Sequence, residues 1–349
     1  MKLKNNSYTA NYIIVTCIFV FLAIGLLFNG CAALQEAQQR RDQRLKDRRD
    51  TDQLLLPVTD ATITVNPKPS KGTPHGESDH YSFTFVEDLQ KHQDFDEIEE
   101  RNAFARSSLT YMESLYSAMY DIFGFKPKQK IHIKLHNLYR GGRSIATTGS
   151  SSSYSIQNGE IRKNITDIEM DFPLAMYQSH GTRVHELTHA FTNIYFFPTW
   201  FSEGIAVLMQ AEYANDDAHP KFDDLDQNLR VNQNGVNLLE GWGGHGDHRA
   251  GRNITQWRYR YAYSIVSELR KLYGKDFYLR VFELMDEDLL YKKLYGNMST
   301  SFVVYYFSQA AGEDLVPFFK NLKFDVRKLE KADILQQIEK QKEMLRRKQ

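Results

Sequence analysis

Residues 185–189 read HELTH, and residues 190–206 continue AFTNIYFFPTWFSEGIA. The first histidine and glutamate sit in MYQSHGTRVHELTHAFTNIY (176–195), a segment whose apolar spacing otherwise predicts a helix. Residues four apart lie about one turn apart on one helix face, so His185 and His189 can both reach a single Zn²⁺ at ~2.0–2.1 Å. Glu186 adjoins them. A carboxylate there can take a proton from a metal-activated water and return it to a leaving amine. A catalytic zinc usually takes three protein ligands and keeps one position open, so a third ligand is required further along the chain. Glu203 meets that requirement, near the first turn of a helix opened by Pro198 and Thr199.

Working upstream, SFTFV (82–86) alternates like a strand, Arg101 to Phe123 has helical spacing, Gly124 is a candidate C-cap, and KIHIKLH (130–136) alternates as a second strand. GGRSIATTGSSSSYSIQNGEI (141–161) reads by composition as a flexible loop, and ITDIEMDF (165–172) as a strand feeding the motif helix. Downstream, GWGGHGDHRAG (241–251) reads as a loop whose His245 and His248 are ordinary exposed histidines, while Tyr261 to Met285 and Phe302 to Phe319 read as helices. His132, His136 and His180 lack a partner at ligand spacing. The charged segment 332–349 is an amphipathic helix that could pack on the domain or fray.

HELTH followed by WFSEGIA resembles the gluzincins, thermolysin-like zinc metallopeptidases with a glutamate third ligand, and most closely their peptidase MA-like branch. The resemblance covers about Tyr81 to Met285. It implies an α+β, zincin-like catalytic domain: a small N-terminal mixed sheet with a packed helix, the HExxH helix, and a helical C-terminal half. The gap from His189 to Glu203 is shorter than in thermolysin, which implies a compact member. YRYAYSIVSELRKLYG (259–274) resembles the family's helix after the glutamate, and Tyr259 occupies the position of a tyrosine that donates to the oxyanion, with Tyr261 and Tyr263 as competitors. Four residues past Glu203, where relatives carry an acidic residue that orients a histidine, stands Val207, which leaves the orienting partner unassigned.

The N-terminus adds an address. Lys2 and Lys4 precede the uncharged run IIVTCIFVFLAIGLLF (13–28), laid out like a signal peptide, and the run ends Leu27-Phe28-Asn29-Gly30-Cys31. This resembles a bacterial lipobox, which implies cleavage before Cys31 and its lipidation. The alternative is an uncleaved signal anchor, because a run near ~18 residues can just span a bilayer; the arginines after it, Arg40 to Arg49, favour a cytoplasmic C-terminal part under that reading. The expected organisation is a signal peptide or anchor over 1–30, a lipidated cysteine and tether over 31–80, a metallopeptidase domain over 81–330 and a charged helix over 331–349.

Lysine plus arginine equals aspartate plus glutamate at 44 each, so no global field recruits nucleic acid. Both cysteines, Cys17 and Cys31, lie in or beside the apolar run, so the globular part holds no disulfide. The expected partners are a peptide or protein substrate and, through the lipid, a bacterial envelope membrane; the competing class is a zincin-fold binding or assembly lipoprotein without turnover.

Overall fold

A computed structural model describes residues 59–66, 69, 73–86, 98–136, 145–214, 218–232, 237–244 and 251–348. Six strands, β1 (Thr64–Val65), β2 (Gly76–Glu77), β3 (Tyr81–Phe85), β4 (Ile131–His136), β5 (Thr147–Gln157) and β6 (Glu160–Pro173), form one mixed sheet in the order β1-β2-β3-β4-β6-β5. Strands β3, β4 and β6 run parallel, and the other neighbours pair antiparallel. Helix α1 (Ile98–Phe123) connects β3 to β4 as a parallel crossover. It buries Leu109, Met112, Leu115 and Met119 in the same core as Phe83, Ile131, Ile133 and Met170, all fully buried. The opposite face of the sheet is polar. There His132 pairs with Asp167 at 3.3 Å, His136 with Asp171 at 3.4 Å, and Lys134 with Glu169.

After β6 come α2 (Leu174–Tyr177), α3 (His180–Thr192), α4 (Thr199–Tyr213), α5 (Arg252–Tyr273), α6 (Phe277–Glu287), α7 (Leu290–Lys293), α8 (Thr300–Ala311), α9 (Val316–Asn321) and α10 (Lys331–Arg346). The chain is therefore an α+β protein with helices on one face of a mixed sheet and a helical second half. Among the described residues no helix is long and apolar enough to cross a membrane.

Three sequence expectations change. The serine-rich stretch read as a loop is β5, an edge strand that forms a hairpin with β6 through Asn158 and Gly159, both at positive φ (52° and 77°). That Asn-Gly pair is a strong hairpin signal, and main-chain pairing overrides the weak strand propensity of Ser and Gly. The sheet also starts before Tyr81: β1 and β2 lie inside the stretch read as tether, and a Cβ on Gly76 would come within 2.9 Å of Leu109 Cδ1, so this edge sits directly on α1. Finally, the helical stretches read after Tyr261 and Phe302 are each broken by a glycine at positive φ, Gly274 (91°) and Gly312 (75°). Helix α10 packs rather than frays, burying Ile334, Ile338 and Leu345.

Candidate metal centre

Helix α3 opens with Ser179, whose hydroxyl accepts from Thr182 N at 3.3 Å, an N-cap that satisfies one exposed amide. Val184, Leu187, Thr188 and Phe191 point into the core, so His185 and His189 are left on the other face. The helix ends in a 3₁₀ turn (Asn193–Tyr195) and then Phe196, held in the left-handed region at φ 54°. A left-handed non-glycine residue costs roughly 1–2 kcal/mol. Packing and bonding hold it there: Met298 N donates to Phe196 O at 2.8 Å, and the Lys163 ammonium lies 3.9 Å from the Phe196 ring and bonds Ile194 O. Burial pushes the Lys163 amine down to about 7. The reversal places Pro198 at the start of α4 and lays that helix beside α3.

Glu203 thereby meets both histidines. Its Oε2 lies 3.1 Å from His185 Nε2 and 3.4 Å from His189 Nε2, and the two Nε2 atoms are 3.2 Å apart. Two ligands at ~2.05 Å from one tetrahedral centre are about 3.3–3.4 Å apart, so the three atoms are close enough together to hold one ion. The three residues form the one group of candidate metal ligands found among the described residues. Tautomers point the same way. Gln210 Oε1 can only accept, so His185 Nδ1 donates to it at 3.2 Å and Nε2 is turned inward; His189 Nδ1 contacts Ser202 Oγ at 3.2 Å. Burial alone would raise the Glu203 carboxyl, yet the neighbouring His189 and His185 rings pull it well below the usual carboxylate range and keep it ionised. Two imidazole nitrogens and a carboxylate converging in a mostly buried spot call for a positive charge between them.

Gln210, and not the residue at position 207, is the side chain of α4 that bonds His185 Nδ1. It stands seven residues past Glu203, two helical turns along α4 and on the same face, and is buried. The sequence signal was present as spacing, with an amide in place of the acid expected three residues earlier.

Glu186 is buried beside the cluster, and the Thr148 hydroxyl donates to it, 2.7 Å from Oε2 and 3.0 Å from the backbone oxygen. Thr148 lies on β5, the outermost strand. Its carbonyl accepts from Asn193 Nδ2 at 3.3 Å, so its main chain faces away from β6 and toward the cleft. Nothing in the sequence marked this threonine. A cleft of about 510 Å³ runs over the cluster, lined by Ile145, Thr148, Asn193, Phe196, Tyr259 and Asn297 among others.

Helices α4 and α5 cross at Gly204, where an added Cβ would come within 2.9 Å of Ala262 O and 3.1 Å of Val266 Cγ1. The close crossing brings Tyr259 over the cluster, its ring centroid 6.1 Å from that of His185. Burial, the Glu203 and Glu186 carboxylates and a hydrogen bond to Glu203 push the Tyr259 phenol far above its ordinary range, so it keeps its proton and is a hydrogen-bond donor. Of the three candidate tyrosines it alone lines the cleft; Tyr261 is buried and donates to Leu225 O at 3.1 Å. His132, His136 and His180 lie away from the cluster, His180 bonded to Tyr111 at 3.0 Å. Cys31, His245 and His248 lie outside the described residues. No family model, curated protein or solved structure matches the chain.

Proposed function

We propose that this chain is a zinc metallopeptidase of gluzincin type on a zincin-like domain. The observation that carries the reading is the His185, His189 and Glu203 cluster, whose ligating atoms stand 3.1–3.4 Å apart with Glu186 beside them. Those three residues would hold the ion. The chemistry a zinc ion held there would supply is Lewis acidity, which would polarise a carbonyl and acidify water. Glu186 accepts the proton released on attack and delivers it to the departing amine, its carboxylate fixed by Thr148. Tyr259 donates its phenolic proton in a hydrogen bond to the oxygen on which negative charge develops. Strand β5, at the edge of the sheet, offers its outer main chain to an extended peptide by strand addition. Residues 1–31 support a further proposal, attachment to a bacterial envelope membrane through a lipid on Cys31, tested by lipid labelling of wild type beside Cys31→Ala.

The deciding experiment measures zinc content and cleavage of a peptide library by the full-length chain and by Glu186→Gln. One zinc per chain in both, with cleavage by the wild type alone, supports the peptidase. One zinc in both and cleavage by neither supports the binding-protein alternative, and no zinc in either removes the metal site.

A further inference from the structure

Arg258, Tyr259 and Arg260 are consecutive on α5, and each flanking arginine ties down a separate loop. Arg260 Nε donates to Pro220 O at 2.7 Å, and its guanidinium lies 4.1 Å from the Phe222 ring. Phe222 N in turn donates to Ser264 Oγ, one turn further along α5, at 2.7 Å. This anchored segment carries His219, whose ring stacks on Tyr259 with centroids 4.7 Å apart and planes 17° apart. On the other side Arg258, almost fully buried, donates from Nε to Leu238 O at 2.9 Å and lies 5.9 Å from the Trp242 ring. Trp242 meets Tyr259 edge-on, with centroids 4.9 Å apart and planes at 85°. Gly243, next to Trp242, closes this loop on the start of α4, because a Cβ there would reach 2.6 Å from Thr199 Oγ1.

The tyrosine over the cluster is therefore gripped by two rings of different orientation, from two loops that the same helix anchors. A phenol projecting into a cleft has two torsions to fix, and one stacked ring with one edge-on ring restrains both. We propose that His219 and Trp242 form an aromatic clamp that fixes the Tyr259 phenol over the metal ligands, with His219 as a positioning residue for the reaction. The inference rests on the reading of Tyr259 as the donor to the developing oxyanion. Neither clamp residue lies near a motif in the sequence, and neither contributes an atom to the ligand cluster.

The test uses the full-length chain with His219→Ala, His219→Phe, Tyr259→Phe and the His219→Ala/Tyr259→Phe double variant. A phenol displaced by about 1 Å costs on the order of a hundredfold in rate. His219→Ala is therefore expected to lower kcat by about ten- to a hundredfold with KM within about twofold. His219→Phe, which keeps a stacked ring, restores most of the rate. In the Tyr259→Phe background His219→Ala adds no further loss.

A readout independent of turnover comes from ¹³C-tyrosine NMR of the zinc-free protein, with the Tyr259 signal identified by its loss in Tyr259→Phe. That signal loses the part of its ring-current shift that the stacked ring supplies in His219→Ala, keeps such a part in His219→Phe, and retains the Trp242 part in both. An equal loss of kcat from His219→Ala with and without the Tyr259 hydroxyl overturns the proposal, as does a Tyr259 signal that His219→Ala leaves in place. If the signal moves as expected but no form of the protein cleaves peptides, the clamp stands and the peptidase reading fails.

Discussion

Gly204→Ala probes the crossing that brings Tyr259 over His185, Glu203 and the cleft. The new methyl would lie 2.9 Å from Ala262 O and 3.1 Å from both the Ala262 carbonyl carbon and Val266 Cγ1. Two of these three atoms are backbone, so rotamer changes alone give no relief. Reaching ordinary contact near 3.5 Å requires α5 to retreat by roughly 0.5 Å. Overpacking of this kind costs about 1–3 kcal/mol, while replacing a helical glycine by alanine returns about 1 kcal/mol. The net loss of stability is therefore small, about 0–2 kcal/mol, a few degrees in Tm at most. Activity is expected to fall much further, because the retreat carries Tyr259 away and reactions of this kind lose about a hundredfold per ångström of misplacement. Tenfold is a reasonable expectation for half that distance. Thermal unfolding and peptide hydrolysis measured on the same preparations decide the matter. A variant with raised Tm and unchanged kcat/KM would refute the claim that a tight crossing at Gly204 positions the site.

Other outcomes follow from single contacts. Gln210→Ala removes the acceptor that orients His185, and competition with a chelator should show zinc affinity lowered by about 10–100-fold while Val207→Ala leaves it near wild type. Thr148→Val frees the Glu186 carboxylate and should lower kcat, whereas Thr148→Ser retains the hydroxyl and most of the rate; equal rates for the two variants would remove Thr148 from the machinery. His75 is buried, its Nδ1 accepts from Phe85 N, and burial, aided by Arg101, depresses its pKa from 6.5 to about 4. The unfolded chain thus takes up the proton first. The contribution of His75 to stability is full above about pH 6.5 and is lost as pH falls toward 4, and urea titrations should show a shallower decline for His75→Gln.

The part of the site that lies in one short stretch of chain was readable without coordinates. A helical repeat fixes where His185, Glu186 and His189 stand relative to one another, and Pro198 announces the second helix that carries Glu203. Residues that reach the site through tertiary packing left no such mark. Thr148 sits 38 residues before Glu186 in a serine-rich strand whose composition reads as loop. His219 and Trp242 gain their positions from contacts made by Arg260 and Arg258, and side-chain-to-backbone bonds between distant segments have no periodicity to detect. Gln210 is an intermediate case: its two-turn spacing from Glu203 is regular, but an amide performing an acid's task is visible only once its bond to His185 is seen. The same distinction applies to the sheet. Alternation revealed β3 and β4, whereas β1 and β2 are two residues each, too short to alternate.

Strand β4 pairs with β6 only from Ile168 to Pro173, so residues 160–167 of β6 have β5 as their one strand neighbour. The register slips where this two-stranded part begins, between Ser151 and Ser152. Amide exchange should therefore divide the hairpin in two. Protons of β6 from Ile168 onward exchange only with global opening, while those nearer Asn158 and Gly159 exchange through a cheaper local opening. Met170, the β6 residue opposite Thr148, belongs to the slow half. A segment laid along β5 would then meet a fixed template near His185, His189 and Glu203 and a yielding one toward the Asn158–Gly159 turn.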